Sequence, residues 1–262
     1  MRLSASVTLL WRELPLLDRF AAARRAGFRG VEIQRLHEGD PAEMARAARD
    51  AGVQVVLVNC GMADYVQGGL GLSGVPGCEA AFQEAVASVI EAAAVLGARH
   101  IHLGPSRIPE GVGAEACRAT YLANIRTALA LSRALAASLV IEAMNAVDAP
   151  TALVTDIRDA HRLARAVDSK RLGLLFDVYH IAMAGGDPVA LYRQLQGAVR
   201  HVQFADAPGR HEPGTGTLDI AGILTAIHRS GYAGWFGAEY VPAATTKEGL
   251  GWCAPLLNYR AA

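Results

Sequence analysis

Eight short β-favouring runs alternate with longer Ala-, Leu- and Arg-rich segments of helical period along almost the whole chain. The runs cover 3–7, 30–34, 53–59, 100–104, 139–143, 172–177, 200–204 and 235–240. Helical period marks stretches between and after them, such as 16–26, 42–51, 80–96, 120–137, 157–166, 188–196 and 220–230. Several helical segments end in glycine, as in "ARRAGF", "ARDAGV", "AVLGAR" and "HRSGYAG", where a left-handed residue can stop a helix. Strand followed by helix, repeated eight times, predicts an α/β fold with a parallel sheet closed into a (β/α)₈ barrel. An open doubly wound sheet is the rival. It would more often carry a glycine-rich phosphate loop after its first strand, and this chain has "SASVTLLW" there, without GxGxxG. No linker or low-complexity tract interrupts the pattern, so 1–262 is expected to form one barrel domain.

Charge excludes some function classes. Lys plus Arg and Asp plus Glu are 25 each, so the net charge is zero. A general attraction to nucleic acid or to an anionic membrane is not expected. Cys60, Cys78, Cys117 and Cys253 are far apart and form no CxxC, which fits free thiols in a reducing compartment. The apolar start is broken by Arg12 and Glu13, too soon for a signal peptide. Nowhere do about 18 uncharged apolar residues run together, as a membrane-spanning helix requires. A cytoplasmic protein is expected.

The chemistry gathers at strand ends. "LVIEAMN" runs three apolar residues straight into Glu142. Asp177 ends the sixth run in "LGLLFDVYH", Gln203 lies near the end of the seventh in "VRHVQFAD", and Glu239 lies near the end of the eighth in "WFGAEYVP". In a barrel these four strands are neighbours, and their C-terminal ends form the catalytic face. One such residue alone would more often be a buried polar group satisfied by an amide or an arginine. Several carboxylates in one apolar pocket repel one another, and unpaired buried charge is costly. A divalent cation relieves that repulsion. Two Glu, one Asp and one amide oxygen form an all-oxygen set that suits Mg²⁺, or Mn²⁺, better than Zn²⁺. Such an ion polarises a carbonyl and stabilises an enediolate. Glu142 and Glu239 then flank the substrate, each able to move a proton.

Other residues are open to two readings. His180 could donate to a substrate oxygen or brace a ligand, or simply start a helix. Arg210, in the long loop 205–219, could bind a substrate carboxylate or be solvated. Asn59, Trp11 and Asp64 lie at or after strand ends and are candidate pocket residues. His201 reads as polar core support, and His100 and His102 as barrel filling. The loops 60–80 and 205–219 leave C-terminal strand ends and read either as lids and substrate walls or as solvated surface.

Six stretches carry a resemblance: "FRGVEIQ", "GVPGCEAAF", "IEAMN", "FDVYH", "VQFADAPGRHEPGTG" and "GYAGWFGAEYVPAATTKEGL". Through them the chain resembles the hydroxypyruvate isomerase family of xylose-isomerase-like TIM barrels, nearly end to end. The resemblance implies one divalent ion on Glu142, Asp177, Gln203 and Glu239, with Glu142 and Glu239 as proton donor and acceptor. It implies substrate contacts from His180, Arg210 and Asn59. The implied reaction interconverts hydroxypyruvate and tartronate semialdehyde through an enediolate. It also implies a homo-oligomer. Related ketose 3-epimerases have histidine where this chain has Gln203. Two departures stand near the expected pocket: Ala143 and Ala146 replace Pro and His, and Val58 precedes Asn59 where the family has His. A 2-oxo-tetronate isomerase, a ketose 3-epimerase or an inosose-dehydratase-like lyase would use the same site. A DNA-repair endonuclease of the related zinc barrel would need a histidine cluster and a basic face.

Overall fold

The structure, a computed structural model, describes residues 1–60 and 64–257. Its strands are β1 (Arg2–Ser6), β2 (Gly30–Ile33), β3 (Gln54–Asn59), β4 (His100–His102), β5 (Ser138–Ile141), β6 (Leu172–Asp177), β7 (Val199–Phe204) and β8 (Trp235–Ala238). They pair in chain order, all parallel, and β8 closes onto β1. This is the expected (β/α)₈ barrel. The helices are α1 (Leu16–Arg25), α2 (Pro41–Ala51), α3 (Glu79–Leu96), α4 (Ala114–Leu131), α5 (Ile157–Val167), α6 (Val178–Met183), α7 (Pro188–Leu195), α8 (Ile220–Arg229) and α9 (Cys253–Leu257).

Local chemistry sets their ends. Asp40 accepts from the amides of Ala42 and Glu43, and Pro41 occupies the first turn of α2, where its missing N–H is not needed. Gly52 then stops the helix at φ 66°. In α5 the buried Ile157, Ala160 and Leu163 lie on one face and the exposed Arg158, Arg162 and Arg165 on the other. The period of two in β3 divides Leu57, which packs inside the barrel with Val140 and Leu175, from Val58, which packs in the main core. That correction matters for the site, because the Val58 departure points away from the pocket.

Three helices differ from expectation, α4, α6 and the short α9, which was not expected. Segment 120–137 was expected to be helical, but α4 begins at Ala114, after Gly113, and ends at Leu131. The alanine-rich residues beyond are turned by Arg171, whose guanidinium donates to the carbonyls of Leu129, Ser132, Leu135 and Ala137. The short α6 directly after β6 was not expected. It forms because Asp177 caps it, accepting from the Tyr179 amide at 2.8 Å.

The long rim loops are tied down. Buried Asp206 accepts from the amides of Ala207 and Leu218 through Oδ1, and of Gly214 and Gly216 through Oδ2, at 2.8–3.0 Å. A side chain at Gly216 would collide with the Ala207 carbonyl. In the other loop, Asp64 accepts from the Gly71 amide, and Arg107 donates to the carbonyls of Tyr65 and Gly69 while lying 3.9 Å from the Tyr65 ring centroid. Asp64 therefore builds the loop. Trp11 is buried edge-on to Phe28, with its amide donating to Thr246.

Asp206→Ala should orphan several of those amides and lower stability by about 3 kcal/mol, at roughly 1–3 kcal/mol per buried unsatisfied group. Urea denaturation measures it. A loss under about 0.5 kcal/mol, the size of an ordinary surface substitution, would show that Asp206 does not hold the loop.

Candidate active site

β6 and β7 run in register so that Asp177 stands beside Gln203. Glu142 follows β5 by one residue and Glu239 follows β8 by one residue. The Glu239 amide donates to the Phe204 carbonyl at 3.1 Å, which extends the sheet to the rim. All four side chains are buried. Asn59 closes β3 opposite His102 of β4. Glu142, Asp177 and His180 each offer an atom within 4.8 Å of the others, a spacing that could hold a metal ion.

Arg210 is the cation of the site. It holds a left-handed backbone at φ 57°, rare for a non-glycine residue. Its amide donates to Asp206 and its carbonyl accepts from Val241. This posture sends Nη2 to Glu239 Oε2 at 2.8 Å and to within 3.6 Å of Asp177 Oδ2. Burial opposes its charge, but Glu239 and Asp177 hold the guanidinium above its ordinary pKa. The solvated alternative for Arg210 is therefore overturned. Its Nε has no partner.

Three carboxyl groups face this one guanidinium. Burial, then the charges of Asp177 and Glu239, push Glu142 well above the carboxylate range. Burial also raises Asp177 against the pull of Arg210. Glu239 is raised to about 7 by burial, with Arg210 opposing and Asp177 adding to the rise. The carboxyl groups are short of positive charge.

His180 comes from α6. Its Nδ1 accepts from the Asn145 backbone amide at 3.2 Å and from the Asn145 side chain at 2.7 Å. A backbone N–H can only donate, so the ring proton sits on Nε2. Nε2 lies 3.7 Å from Asp177 Oδ2 and 4.0 Å from Glu142 Oε1, with no hydrogen-bond partner. Burial holds the ring neutral. In this tautomer His180 is a donor toward the site and not a ligand. Asn145 is itself fixed by Asp148, which also accepts from the Tyr179 hydroxyl.

Several residues escaped sequence reasoning. His102 Nε2 lies 3.6 Å from Glu142 Oε2, too long for a hydrogen bond, and burial lowers this ring to about 4. Tyr65 places a buried, unpartnered hydroxyl near Glu142, raised to about 12 chiefly by burial. Glu32, at the level of a bulge between β2 and β3, is fully buried beneath Gln203 and bonded to it. Burial would raise Glu32, but the charge and hydrogen bond of His201, with Ser4 and Gln203, bring its pKa below the ordinary value. A charge between apolar neighbours in "GVEI" was the one signal, and the sequence does not say which way that residue points. His201 is the support residue expected. Ala146 is exposed. Ala143 lines a cavity of about 190 Å³ with His180, Ile157 and Leu191, so this departure bears on His180 before the carboxylates.

The donors fit a divalent cation. Glu142, Asp177 and Glu239 offer oxygens with one guanidinium among them, and Glu142 Oε1 and Asn59 Oδ1 are buried without partners. Unpaired buried acceptors of this kind need a cation or a donor brought in by a ligand.

The sequence matches the family described as xylose isomerase-like TIM barrel over residues 20–256. It is 35% identical over 258 residues to a 2-oxo-tetronate isomerase of Cupriavidus necator, covering 98% of this chain and 99% of that protein. It is 33% identical over 255 residues to the hydroxypyruvate isomerase of Escherichia coli, covering 97% and 99%. A solved structure described as an AP endonuclease, family 2, from Brucella melitensis superposes with a TM-score of 0.92 at 32% identity, covering 99% of both chains. The 3-keto-D-glucoside 4-epimerase of E. coli shares the fold, with a TM-score of 0.81 at 19% identity over 96% of this chain and 98% of that one.

Glu239 gives a pH test. Folded, it holds its proton between 4.5 and about 7, where the unfolded chain has released it. Its stabilising contribution is complete below 4.5 and is lost as pH rises through about 7. Glu239→Gln cannot titrate. In chelator, the stability of wild type relative to this variant should fall by up to about 3 kcal/mol across that window, at about 1.36 kcal/mol per pKa unit. A pH-independent difference in urea melts would contradict the raised carboxyl.

Proposed function

The chain belongs to the xylose isomerase-like TIM barrels and is an enzyme of isomerase type, and from that premise we propose that it interconverts hydroxypyruvate and tartronate semialdehyde with a divalent cation, Mg²⁺ or Mn²⁺. The observation that carries the reading is the pair Glu142 and Glu239. Both are buried beside Asp177 and both are shifted up, Glu142 well above its ordinary value and Glu239 to about 7. A carboxyl near pH 7 can both take and return a proton, as reversible enolisation demands.

Glu142, Asp177, Gln203 and Glu239 are the residues proposed to hold the cation, which would draw negative charge onto two adjacent substrate oxygens. One glutamate removes a proton from C3, and the electrons of that bond form the C2–C3 double bond as the C2 oxygen takes up charge. The other delivers a proton to C2 while the proton of the C3 hydroxyl passes to the C2 oxygen, leaving an aldehyde at C3 and a hydroxyl at C2. His180 donates from Nε2 to a substrate oxygen, its tautomer set by the Asn145 amide. The Arg210 guanidinium pairs with the substrate carboxylate, and Asn59 lies at the same rim. Four free cysteines support a cytoplasmic setting. Among the described residues no helix is long and apolar enough to cross a membrane.

A second reading moves only the substrate. The Cupriavidus relative, at 35% identity, is a 2-oxo-tetronate isomerase, so a four-carbon oxo acid on the same residues is the alternative. The likeness to the Brucella structure does not favour DNA cleavage. Among the described residues the one group spaced to hold a metal contains a single histidine, and the net charge is zero.

Proton NMR of the metal-loaded protein with hydroxypyruvate in D₂O should show tartronate semialdehyde with deuterium at C2. Glu142→Gln and Glu239→Gln should each lower kcat by about 10²–10⁴-fold, and Arg210→Ala should raise KM. Turnover of a four-carbon 2-oxo acid alone moves the substrate. A product lighter by one water turns the reading to a lyase.

A further inference from the structure

The Gln203 side chain is an amide, and only one of its two ends can serve a cation. Its Nε2 donates to Glu32 Oε2 at 2.7 Å. Glu32 lies deeper in the barrel and is completely buried. Its Oε1 accepts from Ser4 Oγ at 2.7 Å and from His201 Nε2 at 2.8 Å. Its Oε2 accepts from Gln203, and more weakly from Gln34 Nε2 at 3.4 Å. The cradle is shaped for this carboxylate. A β-carbon at Gly237 would stand 1.9 Å from Glu32 Oε1, so β8 leaves the space open. Since an ionised carboxylate can only accept, the amide nitrogen of Gln203 is the end that must face it.

We propose that Glu32 is a positioning residue that locks the Gln203 amide with its nitrogen turned down, so that Oε1 is the atom presented to the cation at the rim. The inference rests on the metal-dependent reading above. It assigns the barrel-floor carboxylate a role in ion binding, achieved through Gln203 and without contact with the ion. Outer carboxylates that orient ligating side chains typically change metal affinity by about 10- to 100-fold when removed.

Glu32→Gln separates this role from simple packing. The two donors at Oε1, Ser4 and His201, keep an oxygen there, which places the new amide nitrogen opposite Gln203 Nε2. Two donors then meet, and the Gln203 amide must turn over and present nitrogen to the ion. Adding Gln203→Glu restores an oxygen at the rim. Both oxygens of that side chain accept, so one takes the hydrogen from the floor amide and the other remains above.

The test is calorimetric titration of the full-length chain with Mn²⁺ at neutral pH, with thermal melts to check folding. Wild type should bind one equivalent, Glu32→Gln should bind about 10- to 100-fold more weakly, and the double variant E32Q/Q203E should recover to within a few-fold of wild type. If wild type binds no Mn²⁺, the metal-dependent reading itself fails, and this inference with it. If wild type binds and a folded Glu32→Gln binds equally well, Glu32 is structural only and the proposal is overturned. Should Glu32→Gln not fold, the double variant decides, and a folded double variant that does not bind overturns the proposal.

Discussion

The barrel must bury three carboxyl groups at one end with a single guanidinium among them, and much of its local structure answers that demand. Arg210 reaches Glu239 and Asp177 from a left-handed backbone, which the surrounding loop must hold in place. The loop does so through Asp206, which gathers four of its amides, and through the bond from the Arg210 amide to the Asp206 carbonyl. The strain of a left-handed non-glycine residue costs on the order of 1–3 kcal/mol. An ion pair within a buried site offsets such a cost far better than one in solvent.

Period and register explain how the charges come together. In a parallel barrel every second residue points inward, and the strands are staggered so that their C-terminal ends meet at one rim. Leu57, Val140 and Leu175 therefore form one apolar layer inside the barrel, and Asn59, Glu142 and Asp177 stand two residues further along the same strands. The apolar layer shields the carboxyls from below, which is why burial is the first cause of every raised pKa among them. On this side of the barrel, a charged rim over an apolar layer thus follows from the two-residue period of β3, β5 and β6.

Much of this was legible in the sequence. The eight strands fall within two residues of the expected runs, because apolar content and β-branching decide them locally. The rim carboxylates were legible because a charge after an apolar run is conspicuous. Glu32 was not, since "VEI" with one inward charge looks the same as a strand with one solvated face. The tautomer of His180 was beyond reach as well, because it depends on an amide 35 residues away. The end of α4 was misplaced for a related reason: Arg171, far along the chain, decides where the alanine-rich segment stops being a helix.

Two kinds of buried carboxylate share this barrel, and their difference marks the site. Glu32 and Glu142 are both buried, yet the first is shifted down and the second up. Glu32 has donors on both oxygens, so the protein itself satisfies its charge. Glu142 has neighbouring carboxyls, two neutral histidines beyond hydrogen-bond distance, and an Oε1 with no partner. Natural proteins leave few buried acceptors unmet. A fold that supplies donors to one carboxylate and withholds them from another three strands away has left that second one for something from outside the chain. A carboxyl whose charge is unsatisfied in the resting protein is also one that gains from any cation or donor that a ligand brings. Glu142 is thus left open to a ligand while Glu32 is satisfied within the barrel, a distinction that rests on hydrogen-bond donors and not on depth of burial.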